Sequence, residues 1–297
     1  MAIIIVLGVI LILTIISLQA SSDTLWTARH IAAVEKREAA YFEAATVART
    51  LPAYITAYHS DDPEKFHDSM EAIRALSMSA VETSTSTIRI EVTDVESRFP
   101  LNSAKDDEHI GQLARLMGAM GIDPSNAEAV ADWIDGDEDP RPGGGESTAK
   151  GTSVKNAPMD SVAELFLVPK AGEAAREYEK SRSDGKDALD SILFAGPIEN
   201  LDRINVNTAG PLVLRSLDDA LTDQEIRNII ESRPLTERTL GAALNGADSY
   251  RLERIKRLVK YTSSYFKIRV TAVNGEESVT VTTLVDKSGS ILSWKAE

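Results

Sequence analysis

The side chains most suited to chemistry in this chain are the carboxylates of one short loop. They are Asp132, Asp135, Asp137, Glu138 and Asp139, with Glu146 beyond two prolines and three glycines. Carboxylates packed this densely repel one another, and Ca²⁺, which takes about six to eight oxygen ligands in irregular loops, would relieve the repulsion. The loop lacks the glycine and the terminal glutamate of an EF-hand at their fixed positions. A calcium site and a solvated acidic loop are therefore equal alternatives.

Catalytic groups of the usual kinds are missing from the sequence. The chain has no cysteine, so it can form neither a disulfide nor a thiolate metal site. Its four histidines, His30, His59, His67 and His109, do not show the H-E-x-x-H spacing of a zinc protease. We therefore expect a protein that is not an enzyme, because a membrane-anchored surface enzyme would need a catalytic constellation that the sequence lacks.

The charge of the chain argues against a nucleic-acid partner. Its 297 residues include 46 acidic and 32 basic ones, for a formal net charge of −14. Binding to phosphate depends on Lys and Arg, so a chain this acidic is not expected to bind nucleic acid. The length allows a membrane anchor and two modest domains.

The first stretch of the chain is apolar enough to lie in a membrane. Residues 2–18 read AIIIVLGVILILTIISL, and the first charged side chain is Asp23. About 20 apolar residues cross the hydrocarbon layer of a bilayer, so residues 1–21 are predicted to form a transmembrane segment. A signal peptide would need a basic n-region and a shorter apolar run. Met1 is either the initiator or the first residue after a removed basic leader, and we favour the leader because a single-pass protein needs positive charge for its orientation.

The N-terminal helix is expected to continue from the membrane into water. Residues 22–51 contain no proline or glycine, and the first proline of the chain is Pro52. Apolar side chains recur at helical spacing at Ala28, Ile31, Val34, Tyr41, Ala45, Ala48 and Leu51. One continuous helix, roughly 75 Å long, is therefore predicted, with an apolar face that packs on another part of the protein.

Two distant parts of the chain alternate with the period of a β-strand. The predicted strands are residues 87–95, 265–273, 278–286 and 291–294, with a hairpin signal at Asn274-Gly275. Helical patterns lie at residues 63–77, 109–120, 126–134, 161–167, 212–221, 223–232 and 249–261. Most of these helices fall between the first strand and the other three.

The predicted fold class is α+β. A long N-terminal helix packs on a small antiparallel sheet, and a large all-α domain is inserted between the first and second strands. The expected units are a transmembrane segment (1–21), the rest of the stem helix with a short helix and the first strand (22–102), the inserted helical domain (103–262), and a C-terminal antiparallel meander (263–297).

Five segments of the sequence occur in an order that is informative as a set. They are DVESRFPLN at 94–102, VADWIDGDEDP at 130–140, NAPMDSVAELFLV at 156–168, INVNTAGPLVLRSL at 204–217 and IIESRP at 229–234. In this order they resemble the minor pseudopilin K family of bacterial type II secretion, which is type IV pilin-like. The resemblance spans nearly the whole chain and implies the same pilin-like fold with a helical insert.

The resemblance implies a subunit at the tip of the type II secretion pseudopilus. Such a subunit would nucleate and cap the filament and help to move folded proteins out through the outer membrane. The implied partners are the I and J minor pseudopilins, the major pseudopilin, membrane lipid, and the outer-membrane secretin or the secreted cargo. The implied location is the inner membrane, crossed once, with the bulk of the chain in the periplasm and a methylated N-terminus at Met1.

The resemblance also assigns roles to residues of the stem and of the acidic loop. The implied assembly stem includes Met1, Ile5, Ile12 and Ile15. Most pilins carry Glu at the fifth position, where it neutralises the N-terminal amine of a neighbouring subunit; Ile5 resembles the K subunit, which has no subunit ahead of it. A similar loop in the family is implied to bind calcium, and the candidate ligands are Asp135, Asp137, Glu138, Asp139 and Glu146.

Two other functions remain as alternatives, a minor pilin of a type IV pilus and a membrane-anchored DNA receptor. Residues 204–234 also resemble a helix-hairpin-helix DNA-binding motif, but the intervening Ser216-Leu217-Asp218-Asp219 is acidic and lacks glycine. We expect Asn205, Asn207 and Thr208 to cap and turn the chain into the next helix. The last helix carries a basic face, predicted to be solvated or to dock on an acidic neighbour, at Arg251, Arg254, Lys256, Arg257 and Lys260.

Overall fold

The computed structural model describes residues 2–77, 79–145, 154–184 and 187–297, with side chains from Leu13 onward apart from residues 76, 183 and 184. Two helices open the chain, α1 (Ala2–Tyr58) and α2 (Pro63–Ser77). Among the described residues, no helix combines the length and the hydropathy of a membrane span. The side chains of residues 1–12, which make up much of the predicted transmembrane segment, lie outside the description.

Helix α1 contains 57 residues and is about 85 Å long. It continues through Pro52, beyond the end that the sequence predicts. Proline removes one helical hydrogen bond, and Ile55, which is buried against the sheet, holds the following turn in place. The N-terminal part of the helix projects away from the protein: of the described side chains before Lys36, only Ala33 is partly covered.

The main sheet has five strands rather than four. Its strands in chain order are β1 (Ala80–Glu82), β2 (Thr87–Asp94), β7 (Tyr265–Asn274), β8 (Glu277–Asp286) and β9 (Ile291–Ala296). They are hydrogen-bonded in this same order, and all neighbours are antiparallel. The helical region therefore lies between the second and third strands, not between the first and second. Strand β1 was not predicted, because its three residues are all exposed and do not alternate.

One face of the sheet is covered by α1. Phe266, Ile268, Val270 and Ala272 of β7 are buried against it, as are alternate valines of β8. The contacting face of α1 is formed by Ala40, Ala44, Ala48 and Ile55. Alanine at four-residue spacing lets the helix lie close to the sheet. The predicted apolar positions Ala28, Ile31 and Val34 remain exposed.

Two glycines make the turns of the meander possible. Asn274 pairs with Glu277, so the two-residue turn is Gly275-Glu276, one position later than predicted. Gly275 has φ +64°, as the first position of a type II′ hairpin turn requires. Gly289 has φ +86°, and a Cβ there would lie 2.8 Å from Thr56 Oγ1 of α1. The second turn therefore needs glycine because it passes against the stem.

The region between β2 and β7 is mainly helical and has its own core. Its helices are α3 (Asp107–Met120), α4 (Asn126–Ile134), α5 (Ala171–Lys180), α6 (Leu189–Ile192), α7 (Pro211–Arg215), α8 (Asp223–Glu231), α9 (Leu240–Ala243) and α10 (Ser249–Leu258), with a 3-10 helix at Val162–Leu167. Two short parallel pairs accompany them, β3 (Phe99–Pro100) with β4 (Leu193–Phe194) and β5 (Ile204–Asn205) with β6 (Val259–Lys260). The sequence analysis missed α5, α6 and α9 and made α7 and α10 too long.

The close contact between stem and sheet predicts the effect of a larger side chain at Ala48, which is 0% exposed. Ala48→Leu is expected to lower the free energy of unfolding by about 1–3 kcal/mol, because a well-packed interface has no room for three more carbons. The exposed Thr46 of the same helix provides the matched control, and Thr46→Leu should change it by less than about 0.5 kcal/mol. Urea unfolding of both variants would measure the difference, and equal losses would show that the contact is loose.

Candidate functional site: the acidic loop and the domain junction

The acidic loop begins at the end of α4, where Asp132 is completely buried. Its carboxylate accepts hydrogen bonds from the Arg141 guanidinium at 2.8 Å and from the backbone N–H groups of Arg141 and Gly145 at 3.1 and 2.7 Å. The same guanidinium binds Asp135. Arg141, whose pKa these carboxylates raise, is therefore the cation at the start of the loop.

The three consecutive glycines let the backbone wrap around carboxylates of α4. The N–H of Gly143 donates to Glu128, and a Cβ at Gly144 would collide with the Asp132 carboxylate. Lys170 fixes the loop from the other side, because its ammonium donates to the Gly143 carbonyl at 3.1 Å. The sequence analysis named neither Glu128 nor Arg141; the signal was the four-residue spacing of Glu128 and Asp132 on one helical face.

The predicted calcium ligands differ in their local contacts. Asp135 pairs with Arg141, Asp137 accepts from the N–H of Asp139 at 3.0 Å, and Glu138 is exposed. Glu146 lies outside the described residues. Within the described part of the chain, no three acidic or histidine side chains are placed to hold one metal ion.

Two oxygen atoms near this loop have unused hydrogen-bonding capacity. Asp135 Oδ1 and Asn156 Oδ1 are buried and have no hydrogen-bond partner among the described residues. Asn156 is tied to the loop, because its Nδ2 donates to the Asp137 carbonyl at 2.7 Å. Buried acceptors without a donor are costly, and a hard cation would satisfy them.

A second polar cluster joins the sheet to the helical domain. Asp94, the last residue of β2, is fully buried. It accepts hydrogen bonds from Ser263 Oγ at 2.6 Å, from Asn205 Nδ2 at 3.2 Å, and from Thr208 Oγ1. Burial raises the pKa of Asp94, and the hydrogen bonds oppose that rise. Asp94 thus links three segments that are far apart in sequence.

Glu96 makes a second connection at the same junction. Its carboxylate binds Lys260 at 2.5 Å and accepts from the backbone N–H of Ser264. Burial raises the pKa of Glu96, whereas the Lys260 ammonium lowers it. Together with Asp94, Glu96 sets the position at which the chain leaves the helical domain and enters β7.

Asn205 and Asn207 are structural, but they do not cap a helix. Asn205 Oδ1 accepts from the N–H of Asn207 at 2.9 Å, which makes a local turn. Asn207 then donates to the Leu235 and Tyr261 carbonyls at 2.9 and 2.8 Å. The N-cap of α7 is Gly210, without a side-chain cap. The predicted capping role is therefore wrong, because the Asn205 amide binds side chains of the junction and the Asn207 amide binds backbone groups of other segments.

The basic residues of α10 are not a free solvated face. Arg251 binds both Asp218 and Glu225, at 3.0 and 2.7 Å, and Arg254 also binds Asp218. The other three residues of the predicted face pair with acidic residues as well, as Lys256 does with Glu253, Arg257 with Glu108 and Lys260 with Glu96. Asp218 is 2% exposed, so the acidic turn that follows α7 points inward to the arginines. Sequence periodicity could not reveal these long-range pairs.

The predicted stem residues are only partly within the description. Met1 and the side chains of Ile5 and Ile12 lie outside it. Ile15 is 53% exposed and belongs to a row of uncovered apolar side chains on α1. This row consists of Leu13, Ile15, Ile16, Leu18, Leu25, Trp26, Ile31 and Val34.

Comparison with known proteins connects these features to one family. Two family models match the chain, both described as type II secretion system (T2SS) protein K, over residues 89–179 and 204–253. The chain belongs to the type II secretion protein K family. The matched ranges of the protein K models contain the acidic loop as well as Asp94, Asn205, Thr208, Asp218 and Glu225.

The fold is similar to that of a solved structure of the type II secretion system. A chain in the crystal structure of the GspK-GspI-GspJ complex from enterotoxigenic Escherichia coli matches with a TM-score of 0.60 and 19% identity, over 74% of this chain and 82% of that chain. At this identity the match shows the fold: a long N-terminal helix on an antiparallel sheet with a helical region between its strands. No curated protein sequence gives a match.

The ion pairs of α10 predict a pH dependence of stability. Hydrogen bonds from Arg251 lower the pKa of Glu225 from 4.5 to about 2. A carboxyl group whose pKa is lower in the folded state than in the unfolded state stabilises the folded protein when the pH is above the unfolded-state pKa. This stabilisation is lost as the pH falls to the folded-state pKa, here between about pH 4.5 and 2. The contribution is at most about 3 kcal/mol.

Glu225→Gln is expected to flatten this dependence, because its amide cannot be protonated in that range. The free energy of unfolding, measured in urea at pH 5, 4 and 3, should fall less in Glu225→Gln than in the wild type. Glu231→Gln, at an exposed position of the same helix, is the control and should follow the wild type. Parallel curves for all three proteins would contradict the assignment.

Proposed function

We propose that this protein is a minor pseudopilin at the tip of a type II secretion pseudopilus. The observation that carries this proposal is the row of exposed apolar side chains on α1, from Leu13 to Val34. Apolar surface of this extent on a projecting helix needs lipid or other helices as a partner. Family membership and the fold support the same conclusion.

The stem would hold the subunit in the inner membrane before assembly and pack against other stems in the filament. The bulk of the chain would lie in the periplasm, and Met1 would be the modified N-terminus. The related structure is a complex of GspK with GspI and GspJ, which supports I and J minor pseudopilins as neighbours here. Contacts with the major pseudopilin, and with the secretin or the cargo, are part of the proposal.

The helical domain favours the tip over the shaft. This domain, between β2 and β7, has a hydrophobic core of its own. A domain of this size would obstruct the stacking of subunits along a shaft. Ile5 also supports the tip position. The resemblance implies that a subunit with another subunit ahead of it in the filament carries Glu at this position, whereas this chain carries Ile. In this role the protein nucleates and caps the filament and helps to move folded proteins out; the mechanism is packing, without catalysis.

The DNA-receptor alternative has less support. In the helix-hairpin-helix resemblance, the turn after α7 would have to offer free backbone N–H groups to phosphate. Instead, Asp218 turns inward to Arg251 and Arg254, and the exposed Asp219 adds a negative charge. With a net charge of −14, this surface disfavours nucleic acid.

Substitutions in the stem test the assembly role. A charge at Ile12 or Ile15, as in Ile15→Glu, is expected to abolish pseudopilus assembly and secretion, because a carboxylate buried between apolar stems has no partner. Ile5→Glu is expected to leave assembly largely intact, since related subunits accommodate Glu there. Ile15→Leu keeps the apolar volume and serves as the control. Secretion that survives Ile15→Glu but fails with Ile5→Glu would contradict the proposal.

We also propose that the acidic loop binds a structural calcium ion. The support is the pair of buried oxygens, Asp135 Oδ1 and Asn156 Oδ1, that lack a hydrogen-bond donor. The proposed ligands are Asp135, Asp137, Glu138, Asp139 and Glu146. A bound Ca²⁺ would supply positive charge to carboxylates that Arg141 does not reach.

Thermal unfolding tests the calcium proposal. The Tm should be higher in calcium than in a chelator, because an ion that binds only the folded protein stabilises it. Asp135→Asn should remove this difference, whereas Asp219→Asn, at a position with a 74% exposed side chain far along the chain, should keep it. Identical melting curves of the wild type in calcium and chelator would refute the site.

A further inference from the structure

A cleft of about 650 Å³ lies between the sheet and the helical domain. Its floor is the face of the sheet opposite α1, where Lys267 and Arg269 of β7 alternate with the buried residues. Its wall comes from the start of the helical region, with Arg98, and from the segment around α6, with Asp190 and Phe194. The cleft is on the side of the molecule away from the stem packing.

Arg98 is the deepest charge in this cleft. It is only 8% exposed, yet its guanidinium has no hydrogen bond and no ion pair among the described residues. Buried arginines are normally paired, because removing the charge from water is costly. Because Arg98 lines the cleft, a carboxylate from outside can reach its guanidinium.

Lys267 adds a second cation without a partner among the described residues. Its neighbours in register are Thr93 on β2 and Leu284 on β8, and neither has a charge. Burial and the nearby Arg98 and Arg269 lower the pKa of Lys267, so the positive charges here repel one another. The Arg98 guanidinium and the Lys267 ammonium thus lie in one region and repel each other.

The carboxylates around the cleft do not neutralise these two cations. Glu91 pairs with Arg269 at 3.5 Å, Asp160 with Lys155 at 3.0 Å, and Glu297 with Lys295. Asp94, which attracts Arg98 from a distance, already accepts hydrogen bonds from Ser263, Asn205 and Thr208 at the junction. Asp190 and Glu91 attract both Arg98 and Lys267, but neither carboxylate forms an ion pair with them within 4.0 Å.

We propose that this cleft binds a carboxylate of an acidic peptide segment from another protein, with Arg98 and Lys267 as the binding residues. A guanidinium offers a planar pair of donors that matches a carboxylate, and a lysine beside it adds charge. Thr282 on the floor of the cleft offers a further hydroxyl. The inference does not depend on the tip position of the subunit or on the stem.

Fluorescence anisotropy with a labelled tetraglutamate peptide, capped at both ends, tests this site on the full chain in detergent at roughly 50 mM salt. Arg98→Gln and Lys267→Gln are each expected to weaken binding about tenfold or more. Arg89→Gln removes the same charge from an exposed position of β2 outside the cleft and should leave binding unchanged. If Arg98→Gln does not fold, as judged by circular dichroism, Lys267→Gln decides alone.

Three results would overturn the proposal. Equal weakening by Arg89→Gln and Lys267→Gln would mean that only the overall charge matters. Equal binding of a tetraglutamine peptide would mean that the carboxylates are not recognised. Displacement of the peptide by an equal concentration of inorganic phosphate would assign the site to a small free anion. Loss of assembly in stem variants would leave all of these outcomes unaffected, so the two proposals can fail separately.

Discussion

The close packing of α1 on the five-stranded sheet is the constraint on which the rest of the structure depends. Successive side chains of a strand point to opposite faces of the sheet. When a helix covers one face, the residues between the buried ones therefore lie on the other face. Ala40, Ala44 and Ala48 allow the helix to lie against Ile268 and Val270. The same register turns Lys267 and Arg269 to the other face, where they form the floor of the cationic cleft.

The helical domain is held to this sheet by polar groups as well as by apolar contact. A small apolar cluster around Phe194 and Leu284 fills the space beside the junction. Asp94 and Glu96 connect the end of β2 with the start of β7, so both points at which the chain crosses between the domains are fixed together. This arrangement fixes the helical domain against the sheet that packs on the stem.

Charge in this protein is organised by pairing inside the helical domain. Asp218, Glu225 and Asp132 are buried acids, and each has an arginine from a distant or adjacent segment. The net charge of −14 therefore does not describe the interior of the domain, where the buried acidic side chains are paired with arginines. Arg98 and Lys267 are the exception, because neither forms an ion pair with a described residue.

The sequence by itself determined the long apolar helix, the strands at Thr87–Asp94 and in the C-terminal meander, and the helix Asn126–Ile134, because their periods of 2 and 3.6 are local properties. The ordered segments also led to the correct family. Only the tertiary structure decided which charges meet: Arg141 with Asp132, Arg251 with Glu225, and Lys260 with Glu96. It also left Arg98 without a partner among the described residues, since pairing between distant residues depends on how the chain folds back, which no local period encodes.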